Sequence, residues 1–488
     1  MTDSGTTDTI DEPMKGTSKP GSWGDLFGPG RATPAVVLAS GVAMYALTVF
    51  VTAALMPSIV SDIGGGRYYA WVTTAFLIPS VIASMQVSRL LSRFGASGSY
   101  AVAFGLFASG SLAIAVSPVM ELLLVGRFVQ GFGGGLLAGL GYAVIRAALP
   151  ERLWTRAAGL VSAMWGVGTL GGPALGGVFA NLGWWRHPFV LLMLLSILLG
   201  YLGVRALPRD GDRTAARTPM PVGALVSLTL ASAAFSVTSI LPQGIWTIIG
   251  LTAGVALIVG FVLIERNGET TVLPRLTYRR RNPLKWIYLV LAALCAAVMT
   301  EMFIPLFGQE LGNLNPLMAG FLGATISIGW TVTQLFSVNL TSDAAKRAAI
   351  RLGPLAVVAG LIAYGLMQTT DASVITVVGW SVVLIVAGAG IGVAFPHLSV
   401  AAMSSTDDEE EGNKAAAGVG TTELIANAVA SAVAGILVSL GEPSMLDSAR
   451  YMAFGIAIIA VLGAVAARFA SPVTPPDRLG PKPTRHRE

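Results

Sequence analysis

From its residues alone, the chain is expected to be an all-α polytopic membrane protein with fourteen transmembrane helices. Three features lead there. Only 12% of the 488 residues are charged and 54% are hydrophobic, with a mean hydropathy of +0.71. A soluble domain carries about a quarter charged residues, so this chain cannot coat its surface with polar groups. The apolar residues fall into runs long enough for a bilayer core, which about 20 residues cross. When the chain alternates through those runs, all 31 Lys and Arg but four land on one side. A soluble enzyme, a coiled coil and a disordered scaffold are excluded.

The runs cover about 34–60, 70–91, 98–117, 119–148, 157–183, 188–206, 221–241, 245–264, 285–307, 316–339, 351–368, 373–398, 413–440 and 448–470. Each is too long for a strand. In lipid a single segment must satisfy its own backbone, so each reads as a helix. Residues 1–32 are polar, with Asp3, Asp8, Asp11 and Glu12, and lack an apolar signal core. They read as a disordered cytoplasmic tail, and the first run as an uncleaved anchor. Basic groups then mark every second loop: Arg89 and Arg93, Arg146 to Arg156, Arg205 to Arg217, Arg266 to Lys285, Lys346 to Arg351, Lys414, and Arg468 to Arg487. The exceptions are Arg67, Arg186 and Arg450 in the opposite loops and Arg127 inside the fourth run. This is the positive-inside distribution, with both termini cytoplasmic.

The order is therefore a tail (1–32), an N-terminal six-helix bundle (33–206), basic linkers with a two-helix insert (207–283), a C-terminal six-helix bundle (284–470) and a second tail (471–488). The acidic run Asp407 to Glu411 reads as a solvated loop whose charge suits a helix N-terminus.

Several chemistries are absent from the sequence. Cys295 is the one cysteine, and His187, His397 and His486 are scattered, so no metal knot is expected. No GxxxxGK[ST] loop occurs, so no nucleotide is expected as fuel. The basic clusters suit anionic lipid rather than nucleic acid. No enzyme activity, no metal and no cofactor are expected.

Polar groups inside the runs carry the candidate site. In the fourth run, Arg127-x2-Gln130-Gly131 places a guanidinium too deep to reach water unaided, so it faces an interior or an aqueous cavity, or is held structurally by carbonyls. In the fifth, Gly168, Gly172 and Gly176 line one helix face, with Pro173 and Gly177 beside them. Small residues there let another backbone come close, and the proline invites a bend. That face suits either a gate between bundles or a tight static contact. Glu423 lies near mid-membrane in the thirteenth run with Asn427 at i+4, and Glu301 lies in the ninth. Each carboxylate can exchange a proton or hold a cationic substrate; the alternative is a hydrogen-bonded packing residue. Tyr45, Trp165, Trp330 and Gln334 are candidate cavity walls, or packing and lipid-facing side chains.

These strings resemble the major facilitator superfamily in its fourteen-helix drug:proton antiporter branch, over about residues 34–470. The fifth-run glycines and Pro173 match that branch's antiporter motif, and Arg127, Gln130 and Gly131 match its fourth-helix motif. Trp185-Arg186 with Phe189, Pro57-Ser58-Ile59, Trp71-Val72-x-Thr74-Ala75-Phe76 and Leu273-Pro274-x-Leu276 resemble other family segments. The resemblance implies the major facilitator fold, two six-helix bundles that rock about a central cavity. Two departures stand out. The loop Ser88 to Ser97 carries Ser92 in place of the family's Asp and lacks its basic pair, and Thr48 stands where relatives carry an Asp in the first helix.

The expectation is a secondary transporter of a bacterial cytoplasmic membrane, a monomer in contact with lipid. It exports small amphipathic or lipophilic molecules and uses the proton gradient as its energy source, with no nucleotide or nucleic acid. The alternatives are an uncoupled or differently coupled exporter of a lipid or natural product, and a non-transporting membrane sensor or assembly partner.

Overall fold

The computed structural model describes residues 22–209, 221–242, 244–268, 270–279, 282–406 and 409–470. Both tails beyond them, the centre of the first linker, Arg280–Arg281 and Asp407–Asp408 lie outside the described residues. The long helices are α1 (Ala32–Ile63), α2 (Tyr69–Ser84), α3 (Val87–Ala115), α4 (Met120–Ala143), α5 (Trp154–Asn181), α6 (His187–Ala206), α7 (Val222–Thr238) and α8 (Ile245–Asn267). They continue as α9 (Leu284–Glu310), α10 (Pro316–Ser337), α11 (Asp343–Leu366), α12 (Val374–Met403), α13 (Glu409–Ser439) and α14 (Met445–Ala466). Among the described residues, eleven helices are long and apolar enough to cross a membrane. The apolar α7 has 17 residues and α2 has 16.

Local chemistry sets several starts. Asn315 accepts from Met318 N and Pro316 opens α10, a pairing that satisfies one free N–H and presets the backbone. Ser342, Ser373 and Ser444 cap α11, α12 and α14 in the same manner.

Three boundaries differ from the hydropathy reading. The run 70–91 breaks after Ser84, and its end joins α3, which is kinked at Gly95. Gly95 has φ 66, a conformation that glycine reaches without a Cβ clash. The run 119–148 ends as a helix at Ala143, followed by a short helix Ile145–Ala148. The run 285–307 is discontinuous: a 3-10 turn, Met299–Met302, separates Leu284–Val298 from Ile304–Glu310. Pro305 has no N–H to give to the carbonyl of Glu301, four residues back, and its ring crowds that oxygen. Mean hydropathy reads through all three because the side chains stay apolar while the backbone turns.

Packing divides the long helices into α1–α6 and α9–α14. The halves meet along α5/α10 and α2/α13, with α1 touching α9 and α10. The side where α1 begins is here the terminal face, and the other side is the far face. Toward the far face the halves are closed. Glycine makes this possible at two places: a Cβ on Gly177 would sit 2.5 Å from Leu317 Cα, and one on Gly320 would sit 3.4 Å from Pro173 Cβ. Thr74 and Ser431 hydroxyls meet at 3.0 Å across α2/α13, and Tyr69 stacks on Phe303 at 5.0 Å. The insert α7 lies along the α2/α13 flank, where Trp71 Nε1 donates to Ser236 O at 2.7 Å. Val81, Leu225, Leu228 and Phe261 form a small apolar cluster there, with Leu424 and Ile425 against it.

Candidate functional site

Arg127 is 1% exposed. Its Nε donates to Val72 O at 3.0 Å, and one terminal nitrogen reaches Gln130 Oε1 at 2.7 Å and Thr48 Oγ1 at 3.4 Å. Its planar head lies 4.3 Å from the centroid of Phe76. Gln130 passes the network on by donating to Ser111 Oγ at 2.8 Å. The guanidinium thus faces inward and is held by a carbonyl, an amide, a hydroxyl and a ring, with no acid in an ion pair with it among the described residues. Thr48, where the resemblance would put an Asp, is one of its holders. Gly131 lets α4 close on α2, since a Cβ there would overlap Phe76 O.

Tyr45 sits beside this network, with Phe76 at 5.3 Å and Trp165 edge-on at 5.7 Å. It is buried, whereas Trp165 is 36% exposed. Glu423, from the other half, lies close enough for its charge to act on both Tyr45 and Cys295. Among the described residues Glu423 has no hydrogen-bond partner. One turn further along α13, Asn427 Oδ1 is buried without a donor. At Gly420, on the same helix face, an added Cβ would meet nothing within 4 Å. Tyr45, Trp165 and Arg127 thus stand close together in the N-terminal half, with Glu423 of the other half within electrostatic reach of Tyr45 and Asn427 one turn along α13 from Glu423.

The remaining candidates stand elsewhere. Glu301, in the 3-10 break of α9, is 6% exposed and accepts from Ser327 N at 2.7 Å and Ser327 Oγ at 3.0 Å. It ties the broken helix to α10. Trp330 donates to Gln334 Oε1 at 2.7 Å, and its ring packs 5.2 Å from Phe395. This pair belongs to the α10/α12 contact. Of the fifth-helix motif, Gly168, Gly172 and Gly176 face α1 of their own half: added Cβ atoms would run into Ala46, Phe50 and Ala54. Only Gly177 and Pro173 meet the other half, at α10.

Four participants were not singled out from the sequence. Phe76, Ser327, Thr74 and Ser431 are ordinary residues in apolar helices, and no spacing ties them to partners that only helix packing supplies. Phe76 and Thr74 had one signal, their place in the Trp71 to Phe76 string.

Residues 38–421 match a family model described as the Major Facilitator Superfamily. A probable multidrug-efflux transporter of Mycobacterium tuberculosis is 42% identical over 458 residues, which is 92% of this chain and 96% of that protein. The multidrug efflux pump SdrM of Staphylococcus aureus is 27% identical over 299 residues, 61% of this chain and 66% of its own. Among solved structures, a D-xylose-proton symporter superposes with TM-score 0.63 at 15% identity, covering 90% of this chain and 97% of that one. The nucleoside transporter NupG gives 0.62 at 12% identity, with 90% and 98% covered. These two likenesses concern the fold.

Proposed function

The chain belongs to the Major Facilitator Superfamily, and from that premise we propose that it is a fourteen-span exporter of small amphipathic molecules, driven by protons moving the other way. The observation that carries this reading is Glu423, a carboxylate of the second half without a hydrogen-bond partner among the described residues and within electrostatic reach of Tyr45 in the first. A charge in oil is costly unless it works or is paired. As the halves tilt, such a group meets water first on one side and then on the other, so it can take a proton from outside and release it inside. Arg127 sets the field on the opposite wall. The aromatic faces of Tyr45 and Trp165 suit a greasy ring and favour a positive charge. Glu301 serves as a second carboxylate, Gly177 and Pro173 as the closing surface, and Trp330 with Gln334 as wall on the terminal side.

The efflux names of the Mycobacterium and Staphylococcus relatives support the substrate class. The basic loops support a bacterial cytoplasmic membrane with both termini inside, and the packing supports bundles at 33–206 and 284–470 around an insert. The test is an inverted vesicle preparation with an imposed proton gradient. A lipophilic cation such as ethidium should dissipate that gradient, and Glu423→Gln should abolish the response while folding normally. A gradient untouched across a broad panel of such cations would overturn the reading.

One observation favours a second reading, an exporter coupled differently or not at all. Thr48 occupies the place from which an acid would pair with Arg127, so a proton carrier common in relatives is missing here. That reading requires transport that survives a protonophore.

A further inference from the structure

We propose that Glu423 and Asn427 form a subsite that selects cations carrying an N–H donor over cations whose nitrogen is fully alkylated. The inference rests on the export reading above and deepens it by naming the headgroup that the site takes.

Along α13, Glu423, Asn427, Ser431 and Gly435 follow one another at four-residue spacing and so share one face. The far end of that stripe is used up: Ser431 meets Thr74, and an added Cβ on Gly435 would overlap Ala70. The next two positions toward the terminal face are not used up. Asn427 Oδ1 is buried with no donor, and Glu423 has no hydrogen-bond partner among the described residues. Two acceptors thus lie one turn apart, just under the closed end of the seam. Among the described residues no cationic side chain pairs with either, since Arg127 is spent on Val72, Gln130 and Thr48.

A buried acceptor left unmet costs more than a met one returns. A protonated amine with an N–H can give that hydrogen to Asn427 Oδ1 while its charge faces Glu423. A quaternary ammonium satisfies the charge and the aromatic faces equally well, but it leaves Oδ1 unmet. Sites built to hydrogen-bond a ligand group reject analogues that lack it far better than they reject a missing methyl.

The probe is a matched pair: a dansyl-aminoethyl dimethylamine, protonated at pH 7, and the same dye with a third N-methyl group. Binding to the full-length protein in nanodiscs is read by fluorescence anisotropy. The wild type should bind the tertiary dye about tenfold or more tighter, the worth of one charge-assisted hydrogen bond. Asn427→Leu should bring the two dyes level by weakening the tertiary one alone. Asn427→Asp, which keeps an acceptor, should keep the preference, and Glu423→Gln should weaken both. Thermal unfolding of each variant shows that it is folded. Equal affinities in the wild type, an Asn427→Leu loss shared by both dyes, or no binding of either dye would overturn the proposal. Equal affinities with intact proton-coupled transport of the quaternary dye would overturn it and leave the export reading standing.

Discussion

Among the described residues Arg127 is held by neutral groups, Val72 O, Gln130, Thr48 and the face of Phe76, and each takes up a part of the charge that an acid would otherwise cancel. Arg127→Met should therefore lower stability by about 2–4 kcal/mol, because it leaves the Val72 carbonyl and Gln130 without donors in a dry interior. Thermal unfolding in detergent checks this. A sharper test pairs it with Thr48→Asp. The introduced acid has a cationic partner while Arg127 is present and loses it in the double variant. The double-mutant cycle should therefore show coupling of more than ~1 kcal/mol. Glu265 makes a comparable case in the connector to the second half. It is 1% exposed and accepts from Val272 N and Leu273 N, with Tyr278 Oη at 3.3 Å. Glu265→Gln turns one acceptor into a donor that faces N–H groups, and a loss of about 1–3 kcal/mol should follow in denaturant titration. At this scale the sequence was informative for charge and mute for partners. Arg127 and Glu423 announce themselves because ionised groups are rare in apolar runs. Ser327, which fixes Glu301, is one small hydroxyl among many.

At the scale of helices, the fifth-helix motif divides by partner. Gly168→Ala and Gly172→Ala push α5 from α1 within one half and should cost about 1–3 kcal/mol each through overpacking. Gly177→Ala instead separates α5 from α10, so it should widen the far face. Spin labels at the far ends of α5 and α10 should then report longer distances, with thermal stability less affected than at Gly168. The motif's spacing told that a flat face exists; it did not tell which helix lies on it, because both candidates offer small side chains. The break in α9 was likewise hidden, since Pro305 disrupts a backbone whose side chains remain apolar. A smaller element, the helix Trp23–Leu26, carries an acid-sensitive cap. Hydrogen bonds from the Ser22 backbone and hydroxyl hold the Asp25 carboxyl below its ordinary value of 3.8. Its contribution is complete above that value and is lost as the pH falls through the lowered one. Amide protection at Asp25 and Leu26, relative to an unstructured chain at the same pH, should fall in acid.

At the scale of the molecule, the halves touch toward the far face, and the polar seam lies below that closure. Cys295 is buried, so the native protein offers a quiet background for thiol probes. A membrane-impermeant maleimide on the terminal side should label Trp165→Cys and spare Thr74→Cys, and added substrate should slow the first reaction. That the apolar runs are helices was readable from their length, because lipid leaves a segment few alternatives. The place of the insert was not, because hydropathy carries no direction around a helix axis. That place has a consequence for traffic. A ring of lipids surrounds the protein, and a greasy solute dissolved among their tails can try to slip sideways between the halves along either of two slots. One slot is shuttered: α7 leans on it and α8 stands outside α7. On the proposed export reading, a solute arriving from within the leaflet meets a wall on that flank, whereas among the described residues no insert helix covers the α5/α10 slot.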